Sequence, residues 1–79
     1  MKRKIKRKIE DLWREIEQKL EVFEEECKDF KECLEDENLG EAGIRICFAI
    51  TSLKTIEEKL EDIELLEELL EEKYDKDRS

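Results

Sequence analysis

Three cysteines, Cys27, Cys33 and Cys47, have the most specific chemistry in this chain of 79 residues. No two of them form a CxxC pair, and without histidine a zinc site would need a fourth ligand from an acid or a partner. Cys27 falls on an apolar stripe and is interpreted as a small core residue. For Cys33 and Cys47 two alternatives stay open, a disulfide across an intervening turn or two free thiols. The cysteines therefore predict no metal and no cofactor.

Clusters of acids, such as those at 24–26 and 67–68, are the second group of residues that could carry out chemistry. Bundles that bind two metal ions through carboxylates need inward-facing glutamates and a Glu-x-x-His motif, and this sequence has no histidine. The sequence also shows no nucleophile paired with a base and no glycine-rich loop that would cradle phosphate. We predict that the protein is not an enzyme and that these acids form a solvated face.

Six basic residues crowd the start of a chain whose net charge is −9. One interpretation is a phosphate-binding arm for DNA or RNA. The other, which we favour, is that the acidic end of the chain neutralises them, because no aromatic residue is interleaved for stacking on bases. The acidic remainder of the chain would repel nucleic acid and anionic lipid. The six residues are Lys2, Arg3, Lys4, Lys6, Arg7 and Lys8.

Two long helices are predicted to position these groups. Apolar residues recur every three or four positions over 5–34 and again over 42–74, which is the helical period. The chain has no proline, and its two glycines, Gly40 and Gly43, lie at or next to the expected turn. The prediction is a helix over about 3–38, a turn over about 39–42, a second helix over about 42–74 and a frayed tail over 75–79.

The turn carries two signals that disagree by two residues. Gly40 is suited to the left-handed conformation that ends a helix. Asn38, followed three residues later by Glu41, instead has the spacing of a capping box that starts the next helix. Both signals indicate a short connection. Helices joined by a short connection pack antiparallel, so we predict an all-α hairpin.

Facing residues in that hairpin should have numbers that add to about 80. This register places Ile16 opposite Ile63 and Leu20 opposite Leu60, and apolar residues meet along the whole length. It also places Cys33 opposite Cys47. We call the contact between the two helices the seam. It uses one face of each helix and provides only a small core for a chain of this size.

The second helix has another face that is nearly symmetric about residue 57. A two-fold interface requires such self-complementarity. We predict a homodimer of two hairpins that forms a four-helix bundle through this face. In architecture, though not in residues, it resembles the Rop family of small plasmid-encoded RNA-binding bundles, and function is not carried over from architecture alone. The predicted interface residues are Ile44, Phe48, Thr51, Thr55, Lys59, Asp62, Leu66 and Leu69.

Composition bears on location and function. Abundant Glu and Lys with scarce Asn and Gln are typical of hyperthermophile proteins. No apolar run is long enough to span a membrane, and we expect a cytoplasmic protein without a membrane partner. The predicted function is contact with another protein, as an adaptor or small regulator. The alternative is a nucleic-acid-binding regulator that uses residues 2–8.

Overall fold

A computed structural model describes the backbone of residues 1–75 and the side chains of residues 1–73. Helix α1 spans Lys2–Glu35 and helix α2 spans Leu39–Leu70, followed by a π-helical turn at Glu71–Asp75. The two long helices pack against each other, which confirms the predicted all-α hairpin. The predicted tail beyond residue 75 lies outside the described residues.

The turn closes at residues 36–38, three positions before its predicted place. The backbone N–H groups of Glu37 and Asn38 donate to the carbonyls of Leu34 and Cys33, at 3.1 and 2.9 Å. This pair of bonds is the Schellman motif that ends many helices. Its left-handed residue, normally glycine, is Glu37 with φ of 58°. Asn38 then caps α2, because its Oδ1 accepts a 3.2 Å hydrogen bond from the Glu41 N–H.

Gly40 therefore does not end the first helix, as one of the two sequence signals suggested. It lies in the first turn of α2, and its φ is not positive. The capping signal of Asn38 and Glu41 was the correct one. A polar side chain that satisfies a free N–H fixes a helix start, whereas a glycine merely permits several conformations.

The seam between the helices is apolar at the open end of the hairpin. Leu12, Ile16 and Ile63 form its core, and their exposed fractions are 9%, 8% and 3%. The predicted meeting of Ile16 with Ile63 is confirmed. Further residues complete the packing around this core, namely Ile9, Ile56 and Leu66.

Toward the turn the buried residues of the seam are small. Ala42 and Ala49 are 3% and 1% exposed. With Ile56, Ile63 and Leu70 they form a series spaced seven residues apart, so α2 turns this series toward α1. A spacing of seven is the coiled-coil repeat. Because this series faces α1, the residues on either side of it lie at the two edges of the seam.

The predicted partners Leu20 and Leu60 do not share the centre of the seam. They are each 44% exposed, and Leu53 is 48% exposed. The buried place beside Ala49 belongs instead to Ser52, at 7% exposure. Ala42, Ala49 and Ile63 stay in the seam as predicted, but helix α2 is rotated by about half a residue, roughly 50°, so that Ser52 is covered in place of Leu53.

The hairpin is long and thin. Its extents are 62 × 15 × 14 Å and its radius of gyration is 18.1 Å, against about 12 Å for a compact domain of this length. The accessible surface is 6526 Å², whereas a compact monomer of 9.6 kDa exposes about 5,100 Å². The chain therefore exposes about 1,400 Å² more than its mass requires.

Candidate interaction surfaces

A polar pair occupies the middle of the seam. Ser52 Oγ donates a 2.7 Å hydrogen bond to Glu26 Oε1. The other carboxylate oxygen, Oε2, is buried and has no hydrogen-bond partner among the described residues. A carboxylate held between two helices needs every available donor, because desolvation of a charge is costly. Glu26 and Ser52 therefore place a polar constraint on the pairing of the helices.

A second polar contact crosses the same edge of the seam. Lys59 Nζ lies 2.8 Å from Glu15 Oε2, and 22% of the lysine side chain is exposed. The hydroxyls of Thr51 and Thr55 donate to carbonyls one turn earlier in α2, at 3.0 and 3.1 Å. This edge, which we call the polar flank, is thus already occupied by contacts within one hairpin.

The dimer interface predicted from the sequence lies partly on this polar flank. Lys59 is engaged with Glu15, and Leu66 packs against the core. Thr55 is half-buried, while Thr51 and Asp62 are exposed. Only the ends of the predicted face present free apolar surface: Ile44, Phe48 and Leu69 are 51%, 53% and 40% exposed. The prediction that these eight residues form an interface stays a prediction.

The opposite edge of the seam carries a continuous apolar series from both helices. Its α1 members recur at intervals of seven residues, and so do its α2 members. Trp13, Leu20 and Leu34 are 45%, 44% and 46% exposed, and the two leucines of α2 are 48% and 44% exposed. We call this surface the apolar flank; its residues are Trp13, Leu20, Cys27, Leu34, Ile46, Leu53 and Leu60.

The sequence contained the signal for the apolar flank. Ile9, Ile16, Phe23 and Phe30 alternate with the α1 members of the flank at spacings of four and three. That alternation is a heptad stripe broad enough for two neighbouring helices. From the sequence, the whole stripe is interpreted as one contact surface. In the structure a single hairpin covers one half of the stripe and leaves the other half exposed.

The basic segment at the start of α1 is exposed apart from Ile5, which is half-buried. Its side chains beyond Lys2, from Arg3 to Lys8, form no ion pair with any described residue. The glutamates 67, 68, 71 and 72, expected to neutralise them, are exposed at the same end of the hairpin. Asp77 and the side chain of Asp75, which belong to the same acidic end of the chain, lie outside the described residues.

The structure does not bring Cys33 and Cys47 together. All three cysteines are free; Cys33 and Cys27 are half-buried and Cys47 is exposed. Cys47 precedes the buried Ala49 by two residues, about 200° around the helix, so it lies on the side of α2 away from α1. Of the two alternatives, the structure therefore has free thiols at Cys33 and Cys47. The described residues also contain no group of three or more candidate metal ligands.

Two further findings bear on function. Within the described residues, neither helix has an apolar stretch that could cross a membrane. Comparison of the chain with protein-family models, curated proteins and solved structures yields no match.

Proposed function

We propose that this chain is a non-enzymatic protein that acts as a homodimer by contacting another protein, as an adaptor or small regulator. Two hairpins would join into a four-helix bundle. The observation that carries the proposal is the apolar flank, in which seven apolar side chains are aligned along both helices and five of them are 44–48% exposed in one hairpin, while Cys27 and Ile46 are half-buried. Contiguous apolar patches of this kind mark sites of protein association.

The exposed area supports the same proposal. An excess of about 1,400 Å² for each chain gives about 2,800 Å² for two, and obligate homodimers bury about 2,000–5,000 Å². No large side chain among the described residues is fully buried, since the best covered, Ile63, Ile16 and Leu12, remain 3%, 8% and 9% exposed. A second copy would supply the missing cover.

A protein that only formed a dimer would need one apolar surface, but this chain has two. The apolar flank lies on one side of the seam, and Ile44 and Phe48 lie toward the other. A bundle that covers one of these surfaces leaves the other for a different protein. Apolar anchors repeated along a helix face are the usual means by which helical surfaces bind partner proteins.

Mass in solution tests the dimer. Light scattering of the whole chain at micromolar concentration is expected to give twice the mass of 9.6 kDa. A monomer under these conditions would remove the proposal. Capture from an extract of the native source, with wild-type protein beside a Phe48→Glu variant, then tests for a partner protein; a partner that binds both equally does not use the Phe48 surface.

A nucleic-acid-binding regulator is the second candidate, and the basic segment favours it. Its residues from Arg3 to Lys8 have no acidic partner among the described residues, which leaves their charge free for phosphate. A gel shift with DNA and RNA at low and moderate salt tests this function. Binding should weaken steeply with salt and disappear when residues 2–8 are neutralised. Neutralising Lys28 and Lys31, which are exposed farther along α1, is the matched control.

A further inference from the structure

We infer that the apolar flank is the two-fold seam of an antiparallel dimer, in which α1 packs on the partner's α1, α2 packs on the partner's α2, and Leu53 lies at the axis. The inference rests on the proposed homodimer and assigns its interface. The occupant of the flank is a second copy of this chain. The assignment differs from the face around residue 57, which the sequence alone suggested.

The apolar flank is symmetric about a midpoint in each helix. In α1 its members are 13, 20, 27 and 34, with a midpoint between residues 23 and 24. In α2 they are 46, 53 and 60, with a midpoint at residue 53. Leu39 has the same spacing and is 74% exposed, but it is the first residue of α2 and lies beyond this symmetric set. A two-fold axis through these midpoints pairs Trp13 with the partner's Leu34 and Leu60 with the partner's Ile46. Every member then meets an apolar residue, as an isologous interface requires.

Both midpoints lie at one level of the hairpin. The Glu26–Ser52 and Glu15–Lys59 contacts fix the register of α1 against α2. Residues paired by them have numbers adding to 78 and 74. Position 23 or 24 of α1 therefore lies beside position 52 or 53 of α2. One axis can thus pass through both midpoints, a coincidence that apolar residues scattered without regard to a partner would not produce.

The basic segments lie at opposite ends of the antiparallel dimer, whereas a parallel dimer would place both at one end of the bundle. In the antiparallel dimer the axis at residue 23 or 24 sets the partner's turn beside residues 9–11 of α1. Asp36 and Glu37 of the turn then lie at the level of Asp11 and Glu10, so no opposite charges meet there. The antiparallel orientation is therefore assigned from the two midpoints of the apolar flank.

The decisive variant is Leu53→Glu, compared with Phe48→Glu. Leu53 is 48% exposed in the hairpin, so the variant should keep the helical circular dichroism of the wild type. Its two carboxylates would meet at the axis in a dry interface, which should weaken dimerisation by roughly 100-fold or more. Phe48→Glu, at 53% exposure on the other side, should leave the dimer intact.

Several outcomes of this comparison can be told apart. A dimer that resists Leu53→Glu but dissociates with Phe48→Glu overturns the assignment in favour of the interface predicted from the sequence. A dimer that resists both variants overturns both interfaces while the proposed homodimer stands. A monomeric wild type overturns the homodimer itself.

Oxidative cross-linking tests the orientation, and it also keeps the inference open to refutation if Leu53→Glu unfolds. In a background with Cys27→Val, Cys33→Ala and Cys47→Ser, the Leu53→Cys variant should form a covalent dimer rapidly, because the two thiols meet at the axis. Leu60→Cys is the control, since Leu60 meets the partner's Ile46 instead of itself. If Leu53→Cys cross-links no faster than Leu60→Cys, the antiparallel seam is wrong.

Discussion

Ser52 and Glu26 join the two helices by a 2.7 Å hydrogen bond at mid-length, where the layers on either side are lined by apolar residues. Ser52 is 7% exposed and donates to one carboxylate oxygen, while the second oxygen is buried without a hydrogen-bond partner among the described residues. A pair of this kind adds little net stability, yet it penalises every pairing of the helices that separates its members.

Replacing Ser52 with alanine should destabilise the protein by about 1–3 kcal/mol, because the buried carboxylate loses its donor. Urea unfolding followed by circular dichroism measures this change in the free energy of unfolding. The control is the double variant Glu26→Leu with Ser52→Ala, which removes both polar groups and should recover most of the loss. A double variant less stable than Ser52→Ala would contradict this account of the pair.

The polar pair of Glu26 and Ser52 also marks the feature of the fold that the sequence did not predict, which is the rotation of α2. The apolar period of each helix and the hairpin were predictable, since burial of a regular stripe decides both. The rotation of α2 was not, because Leu53 and Ser52 are neighbours and the apolar one seemed the natural choice for the seam. A heptad stripe that serves two neighbours does not reveal which half faces the first of them.

Gly40→Ala should stabilise the protein by about 0.5–1 kcal/mol, because Gly40 lies inside α2 and alanine favours helix. A Cβ built at Gly40 meets no atom within 4 Å, and the same holds for Gly43. Thermal unfolding of the single variants measures the effect. If Gly40 closed the first helix in the left-handed conformation, alanine would instead lower the stability.

Glu37→Gly is the complementary change in the turn. Glu37 has φ of 58°, a conformation that glycine adopts without the strain of a side chain. We expect this variant to match or exceed the stability of the wild type, whereas Asn38→Ala should cost about 1 kcal/mol through loss of the helix cap. A destabilised Glu37→Gly would show that its side chain contributes to the turn.

The existence of a short turn could be predicted from the sequence, but its position could not. Asn38 and Glu41 predicted the start of α2 correctly, and the helix end was obscured because Glu37 holds a position usually given to glycine. A residue type rarely found in the left-handed region leaves no local signal for it. Only the hydrogen bonds back to Cys33 and Leu34 identify the helix end.

Thiol titration should find three free cysteines per chain in protein that is unfolded and has never been reduced, since all three cysteines are free in the structure. In the folded protein, Cys47 should react first because it is exposed, whereas Cys27 and Cys33 are half-buried. Mass spectrometry after brief alkylation identifies the labelled residue. A single free thiol in the unfolded protein would instead support the disulfide alternative.

The last prediction separates residues that stabilise the hairpin from those that stabilise the dimer. Ile63 is 3% exposed within one hairpin, so Ile63→Ala should cost about 2–4 kcal/mol at every protein concentration. Leu60 is 44% exposed there, and a partner would cover it. Leu60→Ala should therefore act mainly by weakening the dimer, which makes the melting temperature depend more steeply on protein concentration. Melting curves over a hundredfold range of concentration, with wild-type protein beside both variants, measure this dependence. Equal shifts for Leu60→Ala across that range would place Leu60 outside any subunit interface.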